Sequence, residues 1–214
     1  MDETTKYRGY TIRIVQDENP LNPREDMDNL GIMVFFHKRH VLGDSGTHGF
    51  RSSDFSSWYE LEQCISKKHK GVLITPVYMY DHSGLTISVN GDTYPYNDRW
   101  DAGQIGFIFT TPQRIREWYQ KKAISSVTLE KARKMLLSEV ETYDQYLRGD
   151  VWGLIVEGKD GEQIDLCFGI YGTDYAMSEA KASIDCIKDG QKEIKQKNAK
   201  KQLRDSQGRF VKQA

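Results

Sequence analysis

The 214-residue chain reads as an α+β protein, with a mostly antiparallel sheet of about six or seven strands, four helices packed against it and a basic C-terminal tail. Three observations predict this class. Short runs of β-branched and aromatic residues are joined by tight-turn signals such as Asp160-Gly161, as in antiparallel hairpins. Longer stretches repeat apolar residues at threes and fours and open on capping side chains, as amphipathic helices do. A hydrophobic fraction of 38% beside 29% charged residues suits a core under a very polar surface. Residues 1–190 are expected to form a single α+β domain, and residues 191–214 a basic, partly disordered tail.

Residues 10–15 alternate apolar and polar and read as a strand that pairs with the next one. Residues 16–29, rich in Pro, Asn and acids, read as a long exposed loop. Within it, Asp26, Asp28 and Gly31 stand where an EF-hand loop needs them, but Leu30 and His37 replace two ligands, so the segment reads as solvated acid. Residues 30–36 are apolar on both faces and are expected as a central strand. Ser57 and Glu60 have the spacing of a capping box, so a helix is expected over 57–68 with Trp58, Leu61 and Ile65 inward.

Residues 72–80 form the next expected strand, with Pro76 favouring an edge or a bulge. A turn at 81–84 returns the chain as a strand over 85–89, an aromatic loop follows, and 104–110 is a strand again. Thr111-Pro112 is an N-cap followed by a first-turn proline, so a helix is expected over 112–122 with Ile115, Trp118 and Tyr119 inward. A second opens at Thr128, carries Leu129, Ala132, Leu136, Val140 and Tyr143 on one face, and ends at Gly149. Strands over 151–157 and 163–171 form a hairpin, and a helix capped by Thr173 is expected to stop at Gly190.

Several function classes are excluded at this level. No run approaches eighteen apolar residues and the first twenty residues are charged, so neither a membrane span nor a signal peptide is expected. Cys64, Cys167 and Cys186 are scattered and odd in number, which argues against a disulfide framework or a cysteine zinc site and for a reducing, cytoplasmic setting. No cofactor is expected. The net charge is −1, yet residues 188–212 hold nine Lys or Arg against three acids, leaving about −7 on the remainder.

Polar groups converge in only one stretch, residues 71–111. Asp81, His82 and Ser83 are the residue types of an orienter, a base and a nucleophile, but consecutive residues diverge in a strand or turn, so they do not make a local triad. What remains is His82 as a general acid or base, assisted by Asp101 or Asp98 if the segments meet. His37 and His40 have the spacing of two metal ligands and need a third from His48 or His82; the favoured reading is strand-end and loop histidines without a metal. Tyr80, Tyr94, Tyr96, Trp100 and Arg99 are expected to bind a partner, with Tyr78 beside them, since aromatics and arginine dominate interface energetics. In the tail, Lys197, Lys200, Lys201, Arg204 and Arg209 are candidates for nucleic-acid phosphates.

The segments Tyr80-Asp81-His82-Ser83-Gly84, Trp100-Asp101-Ala102-Gly103-Gln104-Ile105-Gly106-Phe107 and Cys167-Phe168-Gly169-Ile170-Tyr171-Gly172 resemble blocks of an uncharacterised family of small phage and mobile-element proteins. The end of the chain, residues 204–212, resembles short tails of phage and plasmid proteins. The resemblance implies a context and no activity for particular residues: small proteins of such elements often act on the host, including as inhibitors of CRISPR and other defence systems. The expected function is therefore a phage or mobile-element accessory protein in the host cytoplasm that binds a host protein or ribonucleoprotein complex, most plainly as an anti-CRISPR-like inhibitor. The alternatives are a His82-dependent, metal-assisted hydrolase acting on nucleotide or nucleic acid, and a nucleic-acid-binding protein. All of these place the hairpin of His82 and the loop of Trp100 against each other.

Overall fold

The structure, a computed structural model, describes residues 3–82, 84–89 and 101–202, with side chains as far as residue 197. Its elements are β1 (Glu3–Tyr7), β2 (Tyr10–Gln16), β3 (Ile32–Phe35), α1 (Trp58–Lys68), β4 (Leu73–Asp81), β5 (Leu85–Ser88), β6 (Ala102–Thr110), α2 (Pro112–Tyr119), α3 (Ser126–Leu147), β7 (Val151–Glu157), β8 (Gln163–Tyr171) and α4 (Thr173–Gln202). The chain divides into two compact units, one from Met1–Asn19 with Val151–Ala214, the other from Pro20–Asp150. In place of one sheet of six or seven strands there are two four-stranded sheets, both antiparallel, in the orders β1-β2-β7-β8 and β3-β6-β4-β5. The α+β class with four helices stands.

In the first unit, β2 pairs with β1 and β7 and not with the next strand along the chain. The β1–β2 turn has positive φ at both Arg8 (50°) and Gly9 (86°), as a two-residue hairpin whose twist matches its strands requires. Strand β1 is absent from the sequence reading because its residues, Glu-Thr-Thr-Lys-Tyr, carry no apolar alternation. Ile12 and Ile14 point to one face with Leu154 and Val156, where Ala176, Ala180 and Ile184 of α4 are fully buried against them. The two alanines let the helix approach the sheet closely. Gly190 does not end α4, which runs on to Gln202, since a lone glycine costs only about 1 kcal/mol inside a helix.

In the second unit, the sheet is covered on both faces. Leu136, Val140 and Tyr143 of α3, with Ile115 of α2, pack on the face of Met33, Val77 and Met79. Leu61 and Ile65 of α1 pack on the other, against Val34, Phe107 and Phe109. Strand β6 is central and buried on both sides from Ile105 onward. Strand β3, expected in the centre, is at the edge; it is apolar on both faces because helices cover both, and its open edge is closed by Asp44, which accepts from the Met33 N–H (2.8 Å) while its own N–H donates to the Met33 carbonyl (3.0 Å). Pro76 lies in the part of β4 that β5 does not reach, one residue before a bulge at Val77/Tyr78.

Ser57 and Thr111 cap their helices as expected. Ser57 Oγ accepts from the Glu60 N–H, and the Glu60 carboxylate accepts from the N–H of Ser56, one residue before the cap. Thr111 caps α2 from the Arg114 N–H. That helix stops at Tyr119, short of 122, because Gln120 turns left-handed (φ 51°); Trp118, expected inward, is 37% exposed. Helix α3 starts before Thr128, on a Ser125 cap.

The loop over 16–29 is also less free than its composition predicts. Arg24 enters the interior, its side chain 2% exposed, and donates to Asp44 Oδ1 and Oδ2 (2.9 and 2.7 Å), Glu139 Oε2 (2.9 Å), Asn29 Oδ1 (2.7 Å) and the Gly31 carbonyl (2.9 Å). Glu139, on the buried face of α3, also accepts from the Leu30 N–H at 2.7 Å. Two carboxylates taken out of water need a cation, and the long side chain of this loop arginine supplies it.

Candidate functional site

The β4–β6 ladder brings the predicted His82 and Asp101 together. Tyr80 pairs with Ala102, and one residue on, the Asp81 N–H donates to the Asp101 carbonyl at 2.8 Å. The ladder thus delivers Asp101 beside the end of β4, where its Oδ2 lies 2.9 Å from His82 Nδ1. Both side chains remain open to solvent, at 62% and 41% exposure. The bond fixes the ring and leaves Nε2 as the nitrogen presented to a ligand.

Asp81 takes no part in that pair. Successive strand residues point to opposite sides, so its carboxylate turns to Arg39 (2.5 Å) and His40 Nε2 (3.5 Å). The ring of Tyr80 lies 6.0 Å from that of His82. Asp81 therefore joins the hairpin end to the turn at residues 37–40, which are distant in sequence. Ser83, Tyr94, Tyr96, Asp98, Arg99 and Trp100 lie outside the described residues, so the expected meeting of His82 with Trp100 does too.

Beyond Asp81 a cavity of about 660 Å³ opens. Its floor is apolar, with Phe35, Leu42 and Leu61 buried. Phe36 and Trp58 form a wall, stacked at 6.1 Å and 13°, with Trp58 in turn edge-on to Phe107. The rim carries His37, Lys38, His40 and the hydroxyls of Ser45, Ser56 and Ser57. Val41, also on the rim, is 85% exposed.

The two histidines are set by the backbone. His37 Nδ1 accepts from the N–H groups of Arg39 (3.4 Å) and His40 (3.2 Å), which bends the chain so that the two rings stack at 5.0 Å and 11°. The proton of neutral His37 then resides on Nε2. Burial, followed by the charges of His40 and Arg39, pushes the pKa of His37 below its ordinary value, and burial does the same at His48, whose Nδ1 accepts from the Phe50 N–H. Parallel rings do not converge on a point, and among the described residues no group of three or more His, Cys, Asp or Glu is placed to hold a metal ion.

The tail candidates belong to the other unit. Lys197 is exposed on α4, Lys200 and Lys201 belong to its last turns, and Arg204 and Arg209 are outside the described residues. Sequence reasoning missed the cavity itself. Trp58 reads as a helix core residue and Phe36 as a strand end; the one available signal was Val41, an apolar residue alone in a polar, glycine-rich loop. No described helix is long and apolar enough to cross a membrane. No family model, no curated protein and no solved structure matches this chain.

Proposed function

We propose that the protein acts by binding, as an accessory protein of the phage or mobile-element type, and that it recognises a host protein or ribonucleoprotein complex through the cavity bounded by Phe36, Trp58, His37 and His40. The observation that carries this reading is the composition of that cavity: an apolar floor, a stacked aromatic wall and a rim of imidazole, lysine and hydroxyl groups, with Val41 85% exposed at its mouth. Aromatic anchors surrounded by polar groups are what energetically dominant binding contacts are made of. The acidic body outside residues 188–212 suits a partner with a basic channel, such as a nucleic-acid-targeting defence complex, and inhibition of that complex is the consequence of occupying it.

The test is affinity purification of the tagged full chain from host-type lysate, with protein and nucleic acid identified. The wild type and a Lys38→Glu/Val41→Asp variant are run in parallel; both positions are exposed on the rim, so the variant keeps its melting temperature. A defined complex retained by the wild type and lost at least tenfold by the variant supports the reading. No specific partner, or equal recovery by both, overturns it.

A second reading has its own observation. The 2.9 Å bond between His82 and Asp101 is the base-and-orienter half of a hydrolytic site, with Nε2 of His82 facing a substrate. Hydrolysis of nucleotides or oligonucleotides by the wild type, abolished in a folded His82→Ala variant, favours catalysis; the same rate in both, or none in either, removes it.

A further inference from the structure

The polar groups around the cavity of the proposed function are of one kind. Its described lining includes Lys38, His37, His40 and four serines, but no aspartate or glutamate, although the chain outside residues 188–212 carries a net charge of about −7. Two carboxylates reach lining residues, and both are engaged there: Asp81 by Arg39 (2.5 Å) and His40 (3.5 Å), Glu60 by the Ser56 N–H (2.7 Å).

The donors are specified by their own bonds. His37 Nδ1 accepts from two backbone N–H groups and burial lowers its pKa, so near pH 7 the ring is neutral with its proton on Nε2. Ser57 Oγ accepts from the Glu60 N–H, which leaves its own O–H to donate. Lys38 is exposed, and among the described residues no carboxylate is paired with it, whereas Arg39 beside it is bonded to Asp81. Lysine ammonium and serine hydroxyl groups are among the usual partners of nucleic-acid phosphate oxygens.

The apolar lining selects for flat rings. Phe36 stacks with Trp58 at 6.1 Å and His37 with His40 at 5.0 Å, and Phe36, Trp58 and His37 are half-buried, so ring surface remains for a ligand. Nucleobases stack on such rings whatever their identity, because every base has a π-face. The volume of about 660 Å³ lies in the range of roughly 300–1,000 Å³ that encloses a small organic ligand, and a single apolar side chain would not fill it. A phosphorylated peptide is the competing anion, but its recognition relies on clustered arginines, and Arg39 is held by Asp81.

We propose that this cavity takes a nucleotide, its base against the Phe36 and Trp58 rings and its phosphate at Lys38, the His37 Nε2–H and the serine hydroxyls. The inference rests on the reading of the cavity as the recognition site and narrows what it takes: a nucleoside monophosphate, free or as an unpaired unit of a strand.

The experiment is isothermal titration calorimetry of the full chain with AMP, GMP, CMP and UMP. At least one is expected to bind saturably with a dissociation constant below about 100 µM, and its two halves, the nucleoside and ribose 5-phosphate, at least about tenfold more weakly. Lys38→Gln is expected to weaken the nucleotide at least about tenfold and leave the nucleoside unchanged, a split that a general loss of structure would not give, and Lys38→Arg to bind as the wild type does. A single-stranded pentanucleotide RNA bound more tightly than its mononucleotide assigns the ligand to a strand, and the reverse order to a free nucleotide. No saturable binding of any of the four, an unchanged affinity in Lys38→Gln, equal binding of ribose 5-phosphate, or tighter binding of O-phosphotyrosine overturns the proposal. Each does so whatever the lysate purification retains, and a complex retained by the wild type without nucleotide binding leaves the proposed function in place.

Discussion

Replacing Arg24 by Met removes the cation from the interior of the 20–150 unit while keeping most of its aliphatic volume. The guanidinium makes five hydrogen bonds, three of them to Asp44 and Glu139, whose side chains are 13% and 8% exposed. Burial works against the charge of Arg24, and the bonds to the two carboxylates outweigh it, so its pKa stays above the ordinary value. Deleting it leaves Glu139 with the Leu30 and Gly31 N–H groups and Asp44 with the Met33 N–H, and among the described residues no other cation is paired with either carboxylate. Summing the five bonds would overstate the loss, because the arginine itself is costly to bury; breaking a buried pair by removing one partner costs about 3–5 kcal/mol. With a typical urea slope for a unit of this size, the midpoint falls by about 2 M, measured by tryptophan fluorescence. Adding Glu139→Gln, which removes one stranded charge and can still accept from the Leu30 N–H, is expected to restore about 1–2 kcal/mol. A loss under about 1 kcal/mol for Arg24→Met, or no recovery in the double variant, refutes the view that this loop is held by charge pairing.

Three further outcomes are expected. Gly106→Ala places a Cβ 1.8 Å from the Val34 carbonyl oxygen in the neighbouring strand, so sheet β3-β6-β4-β5 must shift; the melting temperature falls by about 3–10 °C, and an unchanged value shows that β6 does not pass so close to β3. His37 has its folded pKa depressed below 6.5, so stability is lost as pH falls through 6.5 and protonation sets in, and proton NMR of the ring gives a midpoint below 6.5 that rises when Arg39 or His40 is replaced by a neutral residue. Glu60 has its folded pKa depressed, first by the hydrogen bond from the Ser56 N–H, so the support it gives to α1 is present above pH 4.5 and lost as pH falls through the lower folded value; Glu60→Gln should flatten the stability profile in that window, seen by circular dichroism.

How much of this was legible depended on how far each signal reaches along the chain. The Ser57 and Thr111 caps, the Asp160-Gly161 hairpin and the apolar face of α3 are written within a few residues and the structure keeps them, whereas α4 begins at Thr173 itself and runs past Gly190 to Gln202. The candidate site was half legible. His82 and Asp101 stood out as a base and an acid in a polar, aromatic stretch, but only the β4–β6 register puts them 2.9 Å apart. Asp81 looked like their companion by adjacency, and the alternation of strand side chains gave it to Arg39 instead. The cavity was invisible because Trp58 and Phe36 carry no mark that separates a wall from a core.

By itself, then, the sequence determined the α+β class, the kinds and approximate limits of most elements, the absence of long apolar runs and the basic end of the chain. Those properties follow from side-chain periodicity, capping and charge, which act locally. Only the tertiary structure decided that β2 joins β7 and not β3, that Arg24 is interior, and that the turn of His37 and His40 neighbours the end of β4. Any strand edge offers the same row of N–H and carbonyl groups, so the choice among partners rests on side-chain packing between segments as far apart as Arg24 and Glu139, which no local pattern records.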